Sequence, residues 1–170
     1  MELRLKLAHK VLKHKAGKTT RQVKVHNFET AKTVGVLWSS DEKNAFQIIR
    51  HHLQGYPNLK LKSLNFISEK KADTSDGASF CTEQLSWLGF AKEGAALDFQ
   101  QTNFDLLIDL SIKKQFPLQV VATLSKAAFK VGYCNEENNP YDLKIDVHQK
   151  PSPDYLAEQI INYLNLIIKK

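Results

Sequence analysis

Short apolar runs alternate with longer amphipathic segments along most of the chain, and this alternation limits the possible folds more than any other feature. The run TVGVLWS at 33–39 is rich in β-branched residues and bounded by polar ones, which predicts a buried strand. Further strands are predicted at 59–67, 104–110, 129–134 and 141–147. Strands that alternate with helices form mostly parallel sheets covered on both faces. We therefore predict a three-layer α/β domain, Rossmann-like or flavodoxin-like, with a basic helical arm before it.

The N-terminal segment 3–15 has the spacing of an amphipathic helix. Leu5, Ala8 and Leu12 recur every three or four residues, and Leu7 lies beside them. Lysines occupy much of the remaining surface. We expect the leucine side to pack on the domain or to form a homodimer.

The segment after this helix is polar and basic. Gly17 is predicted to end the helix, because glycine best tolerates the left-handed conformation past a helix end. Residues 18–32 are predicted to form an extended connector. The expected organisation is an arm and connector at 1–32 followed by a single α/β domain at 33–170.

The remaining elements follow from the same patterns. Ser40, Asp41 and Glu42 are predicted to supply the cap and acidic first turn of the next helix. The predicted helices are 45–53, 117–128 and 151–168, the segment 68–79 is predicted to be a polar loop, and no structure is predicted for 80–103.

The positive charge is concentrated in the arm. The chain carries a net charge of +6, with 24 Lys/Arg and 18 Asp/Glu. Residues 1–32 hold nine Lys/Arg and two Glu, a net charge of +7, while residues 33–170 hold the other fifteen and sixteen, a net charge of −1. A clustered positive charge favours an anionic partner.

Phosphate contacts are the interpretation we favour for this arm, with RNA or a ribosome as the partner. A solvated charged face and an anionic membrane surface are the alternatives. The candidate nucleic-acid-binding residues are Arg4, Lys6, Lys10, Lys13, Lys15, Lys18, Arg21 and Lys24.

A second candidate site lies at the carboxyl end of the predicted strand 104–110. Asp109 stands where ligands bind in open α/β sheets, and Ser40 and Ser111 are expected at the same edge. Asp109 can contact a ligand or act as a base, or it can accept hydrogen bonds from the backbone of the turn that follows. Asp105 is expected at the opposite end of the strand, roughly 13 Å away, which excludes a carboxylate pair with Asp109.

Several common chemistries lack their sequence signals. The turn WSSDEKN after the first strand has no glycine, which argues against a phosphate loop and a dinucleotide cofactor. The six histidines have no metal-binding spacing, and no metal or cofactor is predicted. Cys134 has no neighbouring base, and Ser111 and Ser125 lack the motif of a hydrolase nucleophile.

The compartment follows from weaker signals. The two cysteines have no paired spacing, and MELRLKLAHKVLKHK lacks the apolar core of a secretory signal. No window approaches 18 consecutive apolar residues. A reducing cytoplasm and free thiols are expected.

Three stretches carry a resemblance to known families: FDLLIDLS, QFPLQVVATLSKAAFKVGY and YDLKIDV. Through them the whole chain resembles a family of small uncharacterised bacterial α/β proteins, which implies the fold and a cytoplasmic location but no catalytic residue. Residues 98–134 also resemble the N-terminal domain of heptosyltransferase-type glycosyltransferases. The turn after the first strand departs from that second family, because it has no glycine.

The expected function is that of a non-catalytic binding or assembly protein whose arm contacts RNA or a ribosome. The alternative is a nucleotide-sugar or other small-ligand binding domain, or a degenerate glycosyltransferase-like enzyme. Either form of the alternative would use the carboxyl edge around Asp109.

Overall fold

The computed structural model describes residues 2–68, 77–134 and 139–167. Within these residues, six strands form one parallel sheet in the order β3-β2-β1-β4-β5-β6. The strands are β1 Thr33–Ser39, β2 Lys60–Ile67, β3 Ala78–Cys81, β4 Leu106–Asp109, β5 Phe129–Tyr133 and β6 Leu143–Ile145. The helices are α1 Glu2–Lys18, α2 Lys43–Leu53, α3 Ala95–Gln101, α4 Phe116–Leu124 and α5 Pro153–Leu166.

The strand order confirms the predicted α/β class and selects between its two variants. It is the doubly wound order of the Rossmann fold and not that of flavodoxin. The chain leaves β1 toward one side of the sheet and β4 toward the other, so the order reverses between these two central strands. Ligands of such sheets bind in the crevice at this reversal.

Alternation along β1 assigns the helices to the two faces of the sheet. Val34, Val36 and Trp38 pack in the core that holds the apolar sides of α2 and α5. Leu37 points the other way and packs with α3 and α4. The resulting helix–sheet–helix layers are those predicted.

α1 adds a further element outside α4. Its Leu12 packs with Val120 and Leu124 of α4 and with Phe90. The predicted apolar side was wrong in part, because Leu5 and Leu7 are exposed whereas Ala8 and Leu12 are buried. The apolar contact of α1 is therefore one narrow stripe.

Hydrogen bonds hold the connector against the domain. The prediction that it is extended over 18–32 was wrong in part, because Lys18 belongs to α1 and residues 28–30 form a hydrogen-bonded turn. The Arg21 guanidinium makes two hydrogen bonds to the Asp142 carboxylate, at 2.7 and 2.9 Å. The Lys24 N–H donates to the Ala128 carbonyl, and the Asn27 side chain donates to the Ile167 carbonyl. These bonds fix the connector to the domain at Arg21, Lys24 and Asn27.

Several predicted boundaries were wrong. α1 continues through Gly17, and α4 ends at Leu124, where the Ser125 backbone turns extended. β3 and α3 were not predicted, and β3 begins inside the predicted loop 68–79. Residues 69–76 of that loop and residue 168 of the last predicted helix lie outside the described residues.

Replacing Leu12 tests how α1 is held. Leu12 is 5% exposed and Leu5 is 48% exposed on the same helix. We expect Leu12→Ala to lower the free energy of unfolding by about 2 kcal/mol or more, because it leaves a cavity against α4. Leu5→Ala should change it by less than about 1 kcal/mol. Urea unfolding measures both, and equal losses would contradict the packing described.

Candidate functional site

The crevice at the reversal of strand order is built around a buried acid. Asp109 ends β4, lies beside Leu37 of β1 and is 1% exposed. Its carboxylate accepts hydrogen bonds from the Ser111 N–H at 2.9 Å and from the Tyr141 hydroxyl at 2.8 Å. Burial raises the pKa of Asp109, and the hydrogen bonds from Ser111 and Tyr141 oppose that rise.

These contacts match the interpretation of Asp109 as a hydrogen-bond acceptor within the protein. The Ser111 N–H is a backbone donor of the turn after β4, as expected if Asp109 accepts hydrogen bonds from that turn. The Tyr141 hydroxyl comes from the segment before β6 and was not predicted. Ser40 begins a short 3₁₀ turn at the same edge, but no hydrogen bond within the described parts of the chain joins it to Asp109.

A second buried acid stands beside Asp109. Glu42 is 2% exposed and accepts a hydrogen bond from the Ser39 N–H at 2.6 Å. Burial, helped by the charge of Asp109 and opposed by the hydrogen bond from Ser39, raises its pKa from 4.5 to about 7. The prediction that Glu42 is a first-turn acid of α2 was wrong, since its carboxylate instead closes the turn that follows β1.

Tyr141 reaches Asp109 because β5 carries a glycine beneath it. A Cβ added to Gly132 would lie 2.5 Å from Cζ of the Tyr141 ring. Only a residue without a side chain lets the ring lie this close to the strand. Burial and the neighbouring Asp109 charge hold the pKa of the Tyr141 hydroxyl well above its usual value, so it stays a hydrogen-bond donor at neutral pH.

The space beside these groups is small. The cavity lined by Asp109, Ser111, Gln119 and Tyr141 has a volume of about 40 Å³. A water needs roughly 10–15 Å³ measured in the same way, so the cavity accommodates one to a few waters. The geometry can hold and exchange a proton, but it leaves no room for a nucleotide sugar.

Asp105 confirms the predicted separation of the two acids. It lies just before β4, at the end of the sheet opposite Asp109, and accepts hydrogen bonds from the N–H groups of Lys32 and Thr33. Burial alone would raise its pKa, but these hydrogen bonds outweigh it and hold the pKa of Asp105 below its usual value.

The predicted basic residues fall into two environments. The exposed set comprises Arg4, Lys6, Lys10, Lys13, Lys15, Lys18 and Lys24. Within the described residues, none of this set forms an ion pair with an acid, and Lys15 lies over the Phe90 ring at 5.2 Å. Arg21 differs, because its guanidinium is half-buried and paired with Asp142.

Lys130 is a buried cation that the sequence interpretation missed. It lies on β5, is 2% exposed, and donates to the carbonyls of Ala122 at 2.7 Å and Thr123 at 3.1 Å. These carbonyls end α4, where a positive charge is favourable. The available signal was a single lysine within the apolar stretch FKVGY.

The other reactive side chains form no further site. Cys81 is buried, Cys134 is half-buried, and neither forms a disulfide. His52 packs against Phe28 and Tyr56, and burial lowers its pKa. In the ranges that the structure describes, no group of three or more His, Cys, Asp or Glu side chains is arranged to hold a metal ion.

The raised pKa of Glu42 predicts how stability changes with pH. Folded Glu42 holds its proton more tightly than unfolded Glu42, so its contribution to stability is complete below pH 4.5 and is lost by about pH 7. The loss amounts to roughly 3 kcal/mol. We expect Glu42→Gln to remove this part of the decline, because the amide stays neutral and can still accept from Ser39.

Urea unfolding between pH 5 and pH 8 measures this difference. Asp41→Asn is the matched control, since Asp41 is the exposed neighbour and pairs with Lys113 on the surface. The control should keep the pH dependence of the unsubstituted protein. Parallel curves for Glu42→Gln and the unsubstituted protein would contradict a raised pKa for Glu42.

Comparisons with known proteins identify a family without an assigned activity. Among the described residues, no helix combines the length and apolar character needed to cross a membrane. No match was found to a curated protein or to a solved structure. The resemblance of residues 98–134 to heptosyltransferase-type glycosyltransferases is not shown. Residues 4–167 match the model of a family of unknown function, DUF6913, and the chain belongs to that family.

Proposed function

We propose that the protein is a non-catalytic α/β binding protein whose N-terminal helix and connector bind RNA. In its most concrete form, the RNA is that of a ribosome. The observation that carries the proposal is that α1 is held on α4 while its lysines stay exposed and unpaired with any described acid. Residues 3–28 contain no Asp or Glu to offset this charge.

The helix presents some of its lysines in a row. Lys6, Lys10 and Lys13 follow one another at spacings of four and three residues, which places them on one side of α1. They span about 10 Å along the helix axis at 1.5 Å per residue. A rigid row of this length suits several phosphates of one strand, and releasing their counterions favours binding.

The distribution of leucines argues against a membrane surface as the partner. A helix that lies in a membrane interface separates its apolar and basic faces. In α1, the exposed Leu3 and Leu7 fall on the same side as Lys10. An anionic strand in water does not require such a separation.

The carboxyl edge supports the alternative function less well. Its cavity of about 40 Å³ is too small for a nucleotide sugar, although Lys113 and Lys114 border it together with Asp109.

Charge variants of α1 test RNA binding. The variant K6Q/K10Q/K13Q should weaken binding and lower the slope of log K against log salt by about 2 to 3, because three phosphate contacts are lost. The matched control K60Q/K92Q/K144Q removes the same charge from exposed lysines outside the arm. It should keep most of the affinity and the slope.

Fluorescence anisotropy with labelled single-stranded and structured RNA measures both quantities, and co-sedimentation tests ribosomes. Circular dichroism checks that each variant is folded. Equal losses of RNA affinity in the two triple variants would show that binding depends only on the net charge of the protein. Absence of salt-sensitive RNA binding by the unsubstituted protein would overturn the proposal.

A further inference from the structure

A second and larger opening lies between α1 and the domain. It has a volume of about 480 Å³, within the range of sites for small molecules. α1 forms one wall, and α4 and β5 form the other. Three cations line it, namely Lys13 from α1, Arg21 from the connector and Lys130 from β5. None of its described lining residues is acidic.

The position of Arg21 is fixed by its surroundings. The guanidinium makes two hydrogen bonds to Asp142 and further ones to the carbonyls of Ala127 and Ala128. Because these bonds immobilise the side chain before any ligand arrives, a ligand contact loses little side-chain entropy. Asp142 offsets the charge of Arg21 but does not line the opening.

Lys130 is the third cation of the opening, and no described residue of the lining carries a negative charge. Its ammonium is buried and satisfied by two carbonyls, so two of its three N–H donors are used. Burial, and after it the charge of Arg21, lower its pKa to about 7, although Asp142 opposes both. Bringing an anion beside Lys130 and Arg21 would favour the charged lysine.

The rest of the lining suits an organic molecule that carries the anion. Gln119 and Thr123 of α4 offer neutral hydrogen-bonding groups, and His9 packs edge-on against the Phe116 ring. Leu12 and Ala16 of α1 supply an apolar wall. Cations on one side with apolar and neutral polar groups beside them match a phosphate attached to a larger body.

We propose that the opening between α1, α4 and β5 binds a small organic phosphate, held by Lys13, Arg21 and Lys130. This proposal does not rest on RNA binding by the row of Lys6, Lys10 and Lys13, which we call the outer row of α1. Lys13 belongs to both surfaces, whereas Lys10 belongs only to the outer row. That difference separates the two proposals experimentally.

Binding to the full chain is measured by calorimetry and thermal stabilisation with adenosine 5′-monophosphate and glucose 6-phosphate. Adenosine, glucose and inorganic phosphate serve as the matched ligands that lack one part. At least one organic phosphate should bind with a Kd below about 1 mM and raise the Tm, since a ligand specific for the folded state stabilises it. Its unphosphorylated counterpart should not bind.

Two exposed lysines of the same helix supply the test variant and its matched control. Lys13→Gln should weaken binding of the organic phosphate by roughly three- to tenfold, because one charge-assisted contact is lost. Lys10→Gln should change it less than about twofold, while lowering RNA affinity. Equal effects of the two substitutions on the organic phosphate, or no binding of either organic phosphate, would overturn the site.

The pH dependence gives a readout that a merely structural Lys130 would not produce. Above pH 7.5 a phosphomonoester is dianionic, so its own charge is constant. The groups facing Lys130 are Arg21, Asp142, His9 and Lys13. Because its pKa is about 7, free Lys130 is mostly neutral above pH 7.5 and must take up a proton when the phosphate binds. We therefore expect affinity to fall between pH 7.5 and pH 9, and a constant affinity would contradict its role. If Lys130→Met folds, it should bind the organic phosphate more weakly, and its affinity should not fall between pH 7.5 and pH 9.

Discussion

The fold depends on β1, which is buried on both faces and paired on both edges. β2 and β4 lie on either side of it, and residues 34–39 are all buried. Gly35 is required there, because an added Cβ would lie 2.9 Å from the rings of Phe99 and Phe104. The missing side chain lets Phe99 of α3 and Phe104, just before β4, pack directly on β1. With β1 fixed at the centre, the chain leaves β1 and β4 toward opposite faces and forms the crevice at Asp109.

The buried acids and the buried lysine lie in different parts of the fold. Burial keeps Glu42 and Asp109 prone to hold protons at the carboxyl edge, while Lys130 is prone to lose one beneath α4. Each is satisfied by backbone groups: Glu42 by Ser39, Asp109 by Ser111, and Lys130 by the end of α4. Such groups cost stability when charged, since burial removes their hydration.

The parts predicted from sequence are those governed by local pattern. The run at 33–39 matched β1 residue for residue, because a buried parallel strand reads as continuous β-branched and apolar residues. β3 was missed because ASFC is only four residues long, and its pairing with β2 is non-local. The burial of Glu42 and Lys130 was not predictable from pattern, since each depends on neighbours brought together by the fold. The predicted apolar side of α1 was too wide, because α4 covers only one stripe of that helix.

The carboxyl-edge cavity and the opening beside α1 share a wall, so the buried acids and the cations lie on neighbouring spaces. Gln119, Asn139 and Pro140 line both spaces. Pro140 directly precedes Tyr141, whose hydroxyl holds Asp109. The segment that places Tyr141 over Gly132 therefore also forms part of the opening beside α1. Because Asp109 is buried, its proton affinity depends on the hydrogen bond from Tyr141, and that bond is set by this segment. One short stretch of chain thus positions the donor of the buried acid and borders the cationic opening.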